Sequence, residues 1–188
     1  KFTREVLTGD VHTANQKMAG LETRDQAKTF IYAFLYGAGA SKIGKVVGAG
    51  AREGQILIDR FLQNLPALAR LRKMVTEASE KGTVKALDGR LLHIRSSHAS
   101  LNTLLQGAGA IICKEWLVQM DSLIRSSGID VKLVASVHDE YQFEVAKKDV
   151  DVLGDITKKA MKQTEESLDV GCPLDCDHKV GNTWAETH

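Results

Sequence analysis

The chain has 188 residues, of which 43% are hydrophobic and 26% are charged, and its formal net charge is only +1. This composition is typical of an ordinary soluble globular protein with a sizeable core. The low net charge gives no support to a nucleic-acid partner, so any positive surface must be local. Three scattered cysteines exclude a disulfide framework and favour a reducing cytoplasm, and we expect neither a membrane span nor a signal peptide.

Hydrophobic periodicity predicts mostly helices in the first 80 residues. The first clear helix begins near Thr23, which fits a capping box with Gln26 three residues later, and it buries a face that contains Phe30 and Phe34. Three further segments are expected in this region: a short element around residues 43–47, a helix over about 51–62, and a helix over about 68–78 that ends before Gly82.

The pattern changes to that of strands after Gly82. Two apolar runs flank Asp88-Gly89, a dipeptide that is typical of a hairpin turn. The later predicted elements are a long helix over about 100–125, a strand over 131–137, a strand over 141–145, a helix over about 150–168 and a last strand near 173–180. This order predicts an α+β fold, in which a helical subdomain lies beside a small antiparallel sheet.

The helix that begins near Thr23 carries Arg24, Lys28, Tyr32 and Tyr36 at intervals of four residues. Each interval advances about 40° around a helix, so the first three share a face opposite the apolar side. Two cations one turn apart can bind a polyanion such as a triphosphate, and a Tyr one turn further suits a sugar or a base. On spacing alone, a solvated charged face is the commoner explanation.

Residues 24–37 read Arg-Asp-Gln-Ala-Lys-Thr-Phe-Ile-Tyr-Ala-Phe-Leu-Tyr-Gly. This segment resembles the O helix, or motif B, of the family A DNA polymerases, which include bacterial DNA polymerase I, and it looks closest to the replicative polymerases of short-tailed phages. The resemblance implies that Arg24 and Lys28 bind the incoming triphosphate, with Lys28 also a catalytic residue. It implies that Tyr32 stacks on the nucleotide.

Two further expectations concern the ends of this nucleotide site. The same resemblance implies that Tyr36 packs near the templating base and that Gly37 allows a close approach. Upstream, residues 10–13 read Asp-Val-His-Thr and resemble the family's Asp-x-His-Thr segment. That likeness implies that His12 contacts the same phosphates as the O helix.

Acidic residues lie at the tight turn between the strands predicted at 131–137 and 141–145. A solvated turn is one explanation, because Asp is common in turns. The other is a carboxylate that helps to hold two Mg²⁺ ions about 4 Å apart for phosphoryl transfer. Val-His-Asp-Glu at 137–140 resembles family A motif C, which implies Asp139 as the catalytic metal ligand, Glu140 as its catalytic acidic neighbour and His138 as a contact to the primer terminus.

DNA contacts are expected from two other segments. Asn102 and Gln106 resemble a family pair four residues apart, and amides on one helix face can donate to minor-groove acceptors that all base pairs present. Arg90 and Arg95 belong to a local basic cluster opposed only by Asp88, which is suited to phosphate contacts along the template-primer backbone.

The resemblance covers nearly the whole chain and implies its domain organisation. Residues 1–95 are expected to be mostly fingers subdomain, with the O helix at about 23–36, and residues 96–188 to be the C-terminal part of the palm, ending at the natural C-terminus. Residues 1–9 lack the first catalytic Asp that the family carries in motif A. We therefore expect a fragment or one half of a split enzyme, inactive alone and with its second Mg²⁺-binding Asp missing.

The expected partners are primer-template DNA, a dNTP and an N-terminal polymerase segment that carries motif A, the thumb and a possible exonuclease. The expected location is the cytoplasm, that of a host if the chain is phage-encoded. Two alternatives remain open at this point. One is a non-catalytic nucleotide- or DNA-binding module, and the other is a single-subunit RNA polymerase, although Glu140 favours DNA synthesis because those enzymes usually place Ser after the Asp.

Overall fold

Five α-helices occupy residues 11–79. The computed structural model describes residues 4, 6–7 and 9–187, and the chain divides into two units, Lys1–Gln106 and Gly107–His188. The helices at the start of the first unit are α1 (Val11–Ala19), α2 (Arg24–Leu35), α3 (Ala40–Gly44), α4 (Ala51–Asn64) and α5 (Pro66–Ser79), with a 3₁₀ turn at Lys45–Val47.

The helix boundaries follow from local capping chemistry. The Thr23 hydroxyl accepts a hydrogen bond from the Gln26 N–H, and the Gln26 side chain accepts one from the Thr23 N–H, so the predicted capping box is confirmed. Pro66 at the first position of α5 separates that helix from α4, because proline cannot donate to the preceding turn. The sequence did not predict α1, which begins after Asp10 and ends at Gly20 in the left-handed conformation.

Three phenylalanine rings form the centre of the first unit's core. Phe30 and Phe34 of α2 lie 5.1 and 5.4 Å from the Phe61 ring of α4, both in edge-to-face geometry. Aromatic rings in this geometry gain more than burial alone provides. The apolar face of α2 is therefore packed against α4, and the buried face that its periodicity predicts is confirmed.

Helices α3 and α4 approach so closely that glycine is required between them. A Cβ on Gly54 would lie 1.8 Å from the carbonyl oxygen of Ala40, and one on Gly44 would lie 2.0 Å from that of Gly50. Real Cβ atoms do not come this near to backbone oxygens. The glycines of this region thus bring two helical backbones into direct contact.

The predicted hairpin around Asp88-Gly89 is confirmed. Strands β1 (Thr83–Lys85) and β2 (Leu91–His93) pair antiparallel, with Val84 opposite Leu92. Gly89 has a φ of 87°, which supplies the left-handed residue that such a turn needs.

The second unit surrounds a two-stranded antiparallel sheet. Its elements are the later part of α6 (Ser100–Ser127), β3 (Val131–Val137), β4 (Glu140–Val145), α7 (Val150–Leu168) and the short α8 (Trp184–Thr187). The pairing runs from Val131 opposite Val145 to Val137 opposite Glu140, with an irregularity between Leu133 and Ala135. This combination of helices and antiparallel strands confirms the α+β prediction.

The core of the second unit is built around Trp116. Its ring lies 5.4 Å from that of Tyr141, and its indole N–H donates to the carbonyl of Thr157 at 2.9 Å. Tyr141 in turn donates to the carbonyl of Cys113 at 2.8 Å. These contacts tie β4 to α6, and α6 to α7, around buried Met120.

The strand predicted near 173–180 is wrong. Leu174 and Cys176 do pack on the core at alternate positions, which is the pattern that indicated a strand. Their backbone N–H groups, however, donate to the side chains of Glu165 and Asp175 rather than to a neighbouring strand. Alternating burial of side chains therefore occurs here without hydrogen bonding to a neighbouring strand.

No helix in the described part of the chain combines the length and apolar character needed to cross a membrane.

Candidate functional site

One face of α2 carries a stripe of exposed cationic and aromatic side chains. Arg24 and Lys28 are exposed, and Tyr32 and Tyr36 are 50% and 60% accessible. The opposite face is buried through Phe30 and its neighbours. Because that face is fixed in the core, the stripe is held on a rigid support, as a binding surface requires.

Arg24 is held by Asp10 in a bidentate ion pair. Its Nε donates to Asp10 Oδ2 at 2.8 Å, and its Nη2 donates to Asp10 Oδ1 at 3.3 Å. The Arg24 guanidinium, helped by hydrogen bonds from Thr13 and His12, holds the pKa of the Asp10 carboxyl far below its usual range. The same pair raises the pKa of Arg24, so both groups are charged at neutral pH.

His12 lies next to this pair in the first turn of α1. Its ring centroid is 6.4 Å from that of Tyr32, and its Nδ1 is buried without a hydrogen-bond partner among the described residues. The structure thus brings together His12, Arg24 and Tyr32, which the sequence predicted as parts of one nucleotide site.

The end of α2 packs against backbone. Gly37 has a φ of 79°, and a Cβ there would lie 2.1 Å from the carbonyl oxygen of His98. A side chain at this position is excluded both by the left-handed conformation and by the contact. Within the described chain, the close approach expected at Gly37 is therefore made to the backbone of His98.

The two predicted phosphate-contacting arginines differ in their surroundings. Arg90 donates to Asp88 through both Nε and Nη2, at 2.7 and 2.6 Å, and this contact lowers the pKa of the Asp88 carboxyl. Arg95 is exposed and forms no ion pair among the described residues.

The two amides predicted to contact the minor groove, Asn102 and Gln106, lie one turn apart on α6. Asn102 is half-buried and Gln106 is exposed, and no side-chain hydrogen bond engages either within the part of the chain described here.

His138 and Asp139 form a two-residue turn between β3 and β4. Val137 pairs with Glu140, and His138 has a φ of 55°, a conformation that favours glycine. Asp139 is exposed at the tip of this turn. A short turn on a paired hairpin fixes the backbone that bears this carboxylate more tightly than a long loop would.

Glu140 is oriented by a chain of side-chain contacts. The Gln142 amide donates to Glu140, and the hydroxyl of Thr187 donates to the Gln142 carbonyl oxygen at 3.0 Å. The sequence did not indicate Gln142 or Thr187, because they lie 45 residues apart and neither belongs to the resembling motif. The turn that bears Asp139 is thus supported from the short helix α8.

The chemistry of Asp139 fits one ligand of a Mg²⁺ site. Magnesium prefers hard oxygen ligands, and it is commonly held by one or two carboxylates together with substrate phosphates. Among the residues that the structure describes, no group of three or more His, Cys, Asp or Glu side chains is arranged to hold a metal ion.

A family model described as DNA polymerase family A matches residues 5–186. This chain belongs to DNA polymerase family A. The resemblance to this family is thereby confirmed over nearly the whole length of the chain.

Curated relatives of this family A chain include phage and bacterial polymerases. The DNA-directed DNA polymerases of Enterobacteria phage T3 and Escherichia phage T7 are 41% and 40% identical over 100% of this chain and 30% of each relative. DNA polymerase I of Pseudomonas aeruginosa is 30% identical over 89% of the chain and 19% of that protein. The chain thus spans about a third or less of the length of these relatives. Because they are DNA polymerases, the RNA polymerase alternative is not favoured.

A solved structure supports the fold of this family A chain. The POL domain of Pol1 from M. smegmatis, in a complex with a DNA primer-template and dNTP, aligns with a TM-score of 0.77. The alignment covers 87% of this chain and 33% of that one, at 20% sequence identity. At this identity the likeness shows fold alone, and the fold is that of the aligned third of the POL domain chain.

Proposed function

We propose that this chain forms the nucleotide-binding and metal-binding part of a template-dependent DNA polymerase, a nucleotidyltransferase that adds deoxynucleotides to a primer 3′ end in DNA replication. The observation that carries the proposal is the exposed cationic face of α2, fixed by a buried aromatic face. The 40–42% identity to phage DNA-directed DNA polymerases supports it.

The α2 stripe is proposed to bind the incoming dNTP. Arg24 and Lys28 bind the triphosphate together with His12, since two cations one helical turn apart match a polyanion. Lys28 is also proposed to act on the reacting phosphate, because a point charge stabilises charge that develops there. Tyr32 offers a flat exposed ring for the nucleotide, and its neighbour one turn on, Tyr36, lies near the templating base beside Gly37.

Primer-template DNA is the proposed second ligand. Arg90 and Arg95 contact backbone phosphates. Arg95 contributes more to the binding free energy, because the Arg90 guanidinium is already paired with Asp88. Asn102 and Gln106 donate to minor-groove acceptors, which are common to all base pairs and so suit an enzyme that reads pair shape. His138 contacts the primer terminus.

Asp139 is the proposed ligand of catalytic Mg²⁺, with Glu140 as its acidic neighbour. Two such ions, when bound, supply activation of the primer 3′-hydroxyl and neutralisation of the leaving pyrophosphate. Two-metal chemistry needs more than one carboxylate, and the family resemblance accounts for Asp139 alone of the two catalytic aspartates. We infer that synthesis also needs a polymerase segment with the motif A Asp and a thumb, whether or not that segment carries an exonuclease.

A chimera tests the polymerase assignment. This chain replaces the matching 30% of the phage T3 polymerase, and Mg²⁺-dependent extension of a primed template is measured. We expect extension by the chimera and at least about a 1,000-fold loss in Asp139→Ala, because a metal ligand that acts in the chemical step is removed. The matched control, Asp130→Ala, removes an exposed carboxylate from the same unit and leaves extension intact. Undiminished extension in Asp139→Ala would refute the assignment.

The chain alone gives a second test. We expect it to bind a dNTP, measured by calorimetry, without extending a primer. Lys28→Ala weakens this binding about 10-fold because it removes a charge-assisted contact to phosphate. Lys73→Ala, which removes another exposed lysine, from α5, is the control and leaves the affinity unchanged. Equal affinities for the wild type and Lys28→Ala would contradict the role of the α2 stripe.

A further inference from the structure

The carboxylate of Asp10 accepts five hydrogen bonds, which join two helices. Oδ1 accepts from the backbone N–H groups of His12 and Thr13 at 3.0 and 3.3 Å and from Arg24 Nη2 at 3.3 Å. Oδ2 accepts from the Thr13 hydroxyl and from Arg24 Nε, both at 2.8 Å. One carboxylate thus caps α1 and holds the first residue of α2.

This contact uses one edge of the Arg24 guanidinium. Arginine has five N–H donors in a planar fork, and the Nε and one Nη2 donor are directed to Asp10. The second Nη2 donor and one Nη1 donor form the outer edge, and the other Nη1 donor lies beside Cδ. No hydrogen bond engages these three donors among the described residues. An arginine held in this way can bind a phosphate without releasing its carboxylate.

We propose that Asp10 is a positioning residue of the triphosphate site, which holds the Arg24 guanidinium in its phosphate-binding orientation and links it to the helix that bears His12. The inference rests on the proposed function of the α2 stripe. It explains the Asp-x-His-Thr spacing: Asp caps the helix, His follows in the first turn, and the Thr13 hydroxyl occupies the second carboxylate oxygen beside Arg24.

Asp10 has two opposite effects on the affinity for a triphosphate, and they differ in whether removal of the carboxylate tightens or weakens binding. Its negative charge repels a triphosphate, so charge alone predicts tighter binding when the carboxylate is removed. Its contact with Arg24 fixes a long flexible side chain before the ligand arrives, so positioning predicts weaker binding. Because Asp10 and Arg24 are 43% and 52% exposed, water and salt screen the repulsion, and we expect positioning to dominate.

Asp10→Asn separates these effects while it keeps the helix cap. Asn caps helices as well as Asp does, and its Oδ1 can still accept from the N–H groups of His12 and Thr13. Its amide nitrogen cannot accept from Arg24. The matched control is Asp25→Asn, which removes an exposed carboxylate adjacent to Arg24 that makes no hydrogen bond with it. The probes are inorganic tripolyphosphate and dATP, titrated into the 188-residue chain by calorimetry.

We expect Asp10→Asn to weaken binding of both probes about 3- to 5-fold, as an exposed, well-aligned ion pair allows. Asp25→Asn should leave the affinity unchanged or slightly tighter. In an Arg24→Ala background, Asp10→Asn should cause no further loss of affinity, whereas a general loss of fold would weaken binding in that background as well. By ¹⁵N NMR the Arg24 Nε–H signal should be protected from exchange in the wild type and unprotected in Asp10→Asn.

Three outcomes overturn the inference. Tighter or unchanged binding in Asp10→Asn means that the carboxylate does not position Arg24. An equal loss in the Arg24→Ala background means that Asp10 acts elsewhere. If Lys28→Ala weakens binding but Asp10→Asn does not, only the inference fails, whereas absence of binding by the wild-type chain would refute the proposed function together with it.

Discussion

His138 illustrates how a single residue departs from local preference. The two-residue turn between β3 and β4 requires a positive φ at its first position, for which glycine is the favoured residue. A residue with a Cβ pays roughly 1–2 kcal/mol in this conformation. The proposed contact between the imidazole and the primer terminus gives a reason for keeping histidine there.

The strain at His138 leads to a stability prediction. We expect His138→Gly to unfold with a free energy about 1 kcal/mol higher than His138→Ala, because only the latter retains a Cβ at a positive φ. Urea denaturation of the two variants measures this difference. Equal stabilities would show that the turn is not strained at this position. In the chimera, both variants should bind primer-template more weakly than the wild type.

Among elements, the tightest contact described is that between α3 and α4. Gly54 lies against the carbonyl of Ala40, and the helix backbones touch where a methyl group would otherwise stand. Helix packing of this kind depends on backbone positions that cannot move independently. It keeps α4, and with it Phe61, in place behind α2.

Two helical glycines provide a matched test of this packing. Gly54→Ala should lower the free energy of unfolding by about 2–3 kcal/mol. The added methyl group would clash with backbone atoms, which cannot move aside as a flexible side chain could. Gly109→Ala, on α6, should raise it by about 0.5–1 kcal/mol, because a Cβ there meets nothing within 4 Å among the described residues and alanine favours helix. Thermal and urea unfolding compare the two. A stabilising Gly54→Ala would contradict the close contact.

The sequence predicted those elements whose signals are local. The capping box at Thr23 and the turn at Asp88-Gly89 act over a few residues, and both are present. Helix α1 was missed because it has few apolar positions and buries a polar residue, Asn15. The strand near 173–180 was wrong because period-two burial does not require a pairing partner, and the partner depends on tertiary structure.

Within the candidate site, the sequence predicted the motifs that lie on one element but not the contacts between elements. Residue identity indicated the stripe on α2 and the acidic turn at Asp139, because each is a short motif on one element. The ion pair between Asp10 and Arg24 was not predicted, since the residues are 14 apart and meet only through the angle between α1 and α2. Likewise, nothing local indicates that Thr187 supports Glu140 through Gln142.

At the scale of the whole molecule, charges act in local pairs rather than through the net charge. The pKa of Asp10 is lowered by Arg24, that of Asp88 by Arg90, and that of Glu165 by the N–H of Leu174 and by Lys162. Burial, in contrast, raises the pKa values of the thiols of Cys113 and Cys176 and of the phenol of Tyr141.

These shifts predict a stability maximum near neutral pH. Carboxyls with lowered pKa values stabilise the fold above their ordinary pKa, and the stabilisation is lost as pH falls below about 5. Groups whose pKa values are raised by burial stabilise it below their ordinary pKa, and that stabilisation is lost as pH rises above about 9. Urea unfolding across this range measures both limbs, and Glu165→Gln should flatten the acid limb. Rising stability on acidification would contradict the cited pairs.

The saturation of Asp10 has a consequence for the cation that accompanies a nucleotide. A carboxylate has about four lone-pair sites, and five donors already occupy the two oxygens of Asp10. It cannot offer an oxygen to Mg²⁺ without releasing Arg24 or uncapping α1. If the proposed triphosphate site is correct, the acidic residue beside it is therefore committed to Arg24 and to the cap of α1, and the N-terminal end of α2 offers the nucleotide a cation rather than a ligand for its metal ion.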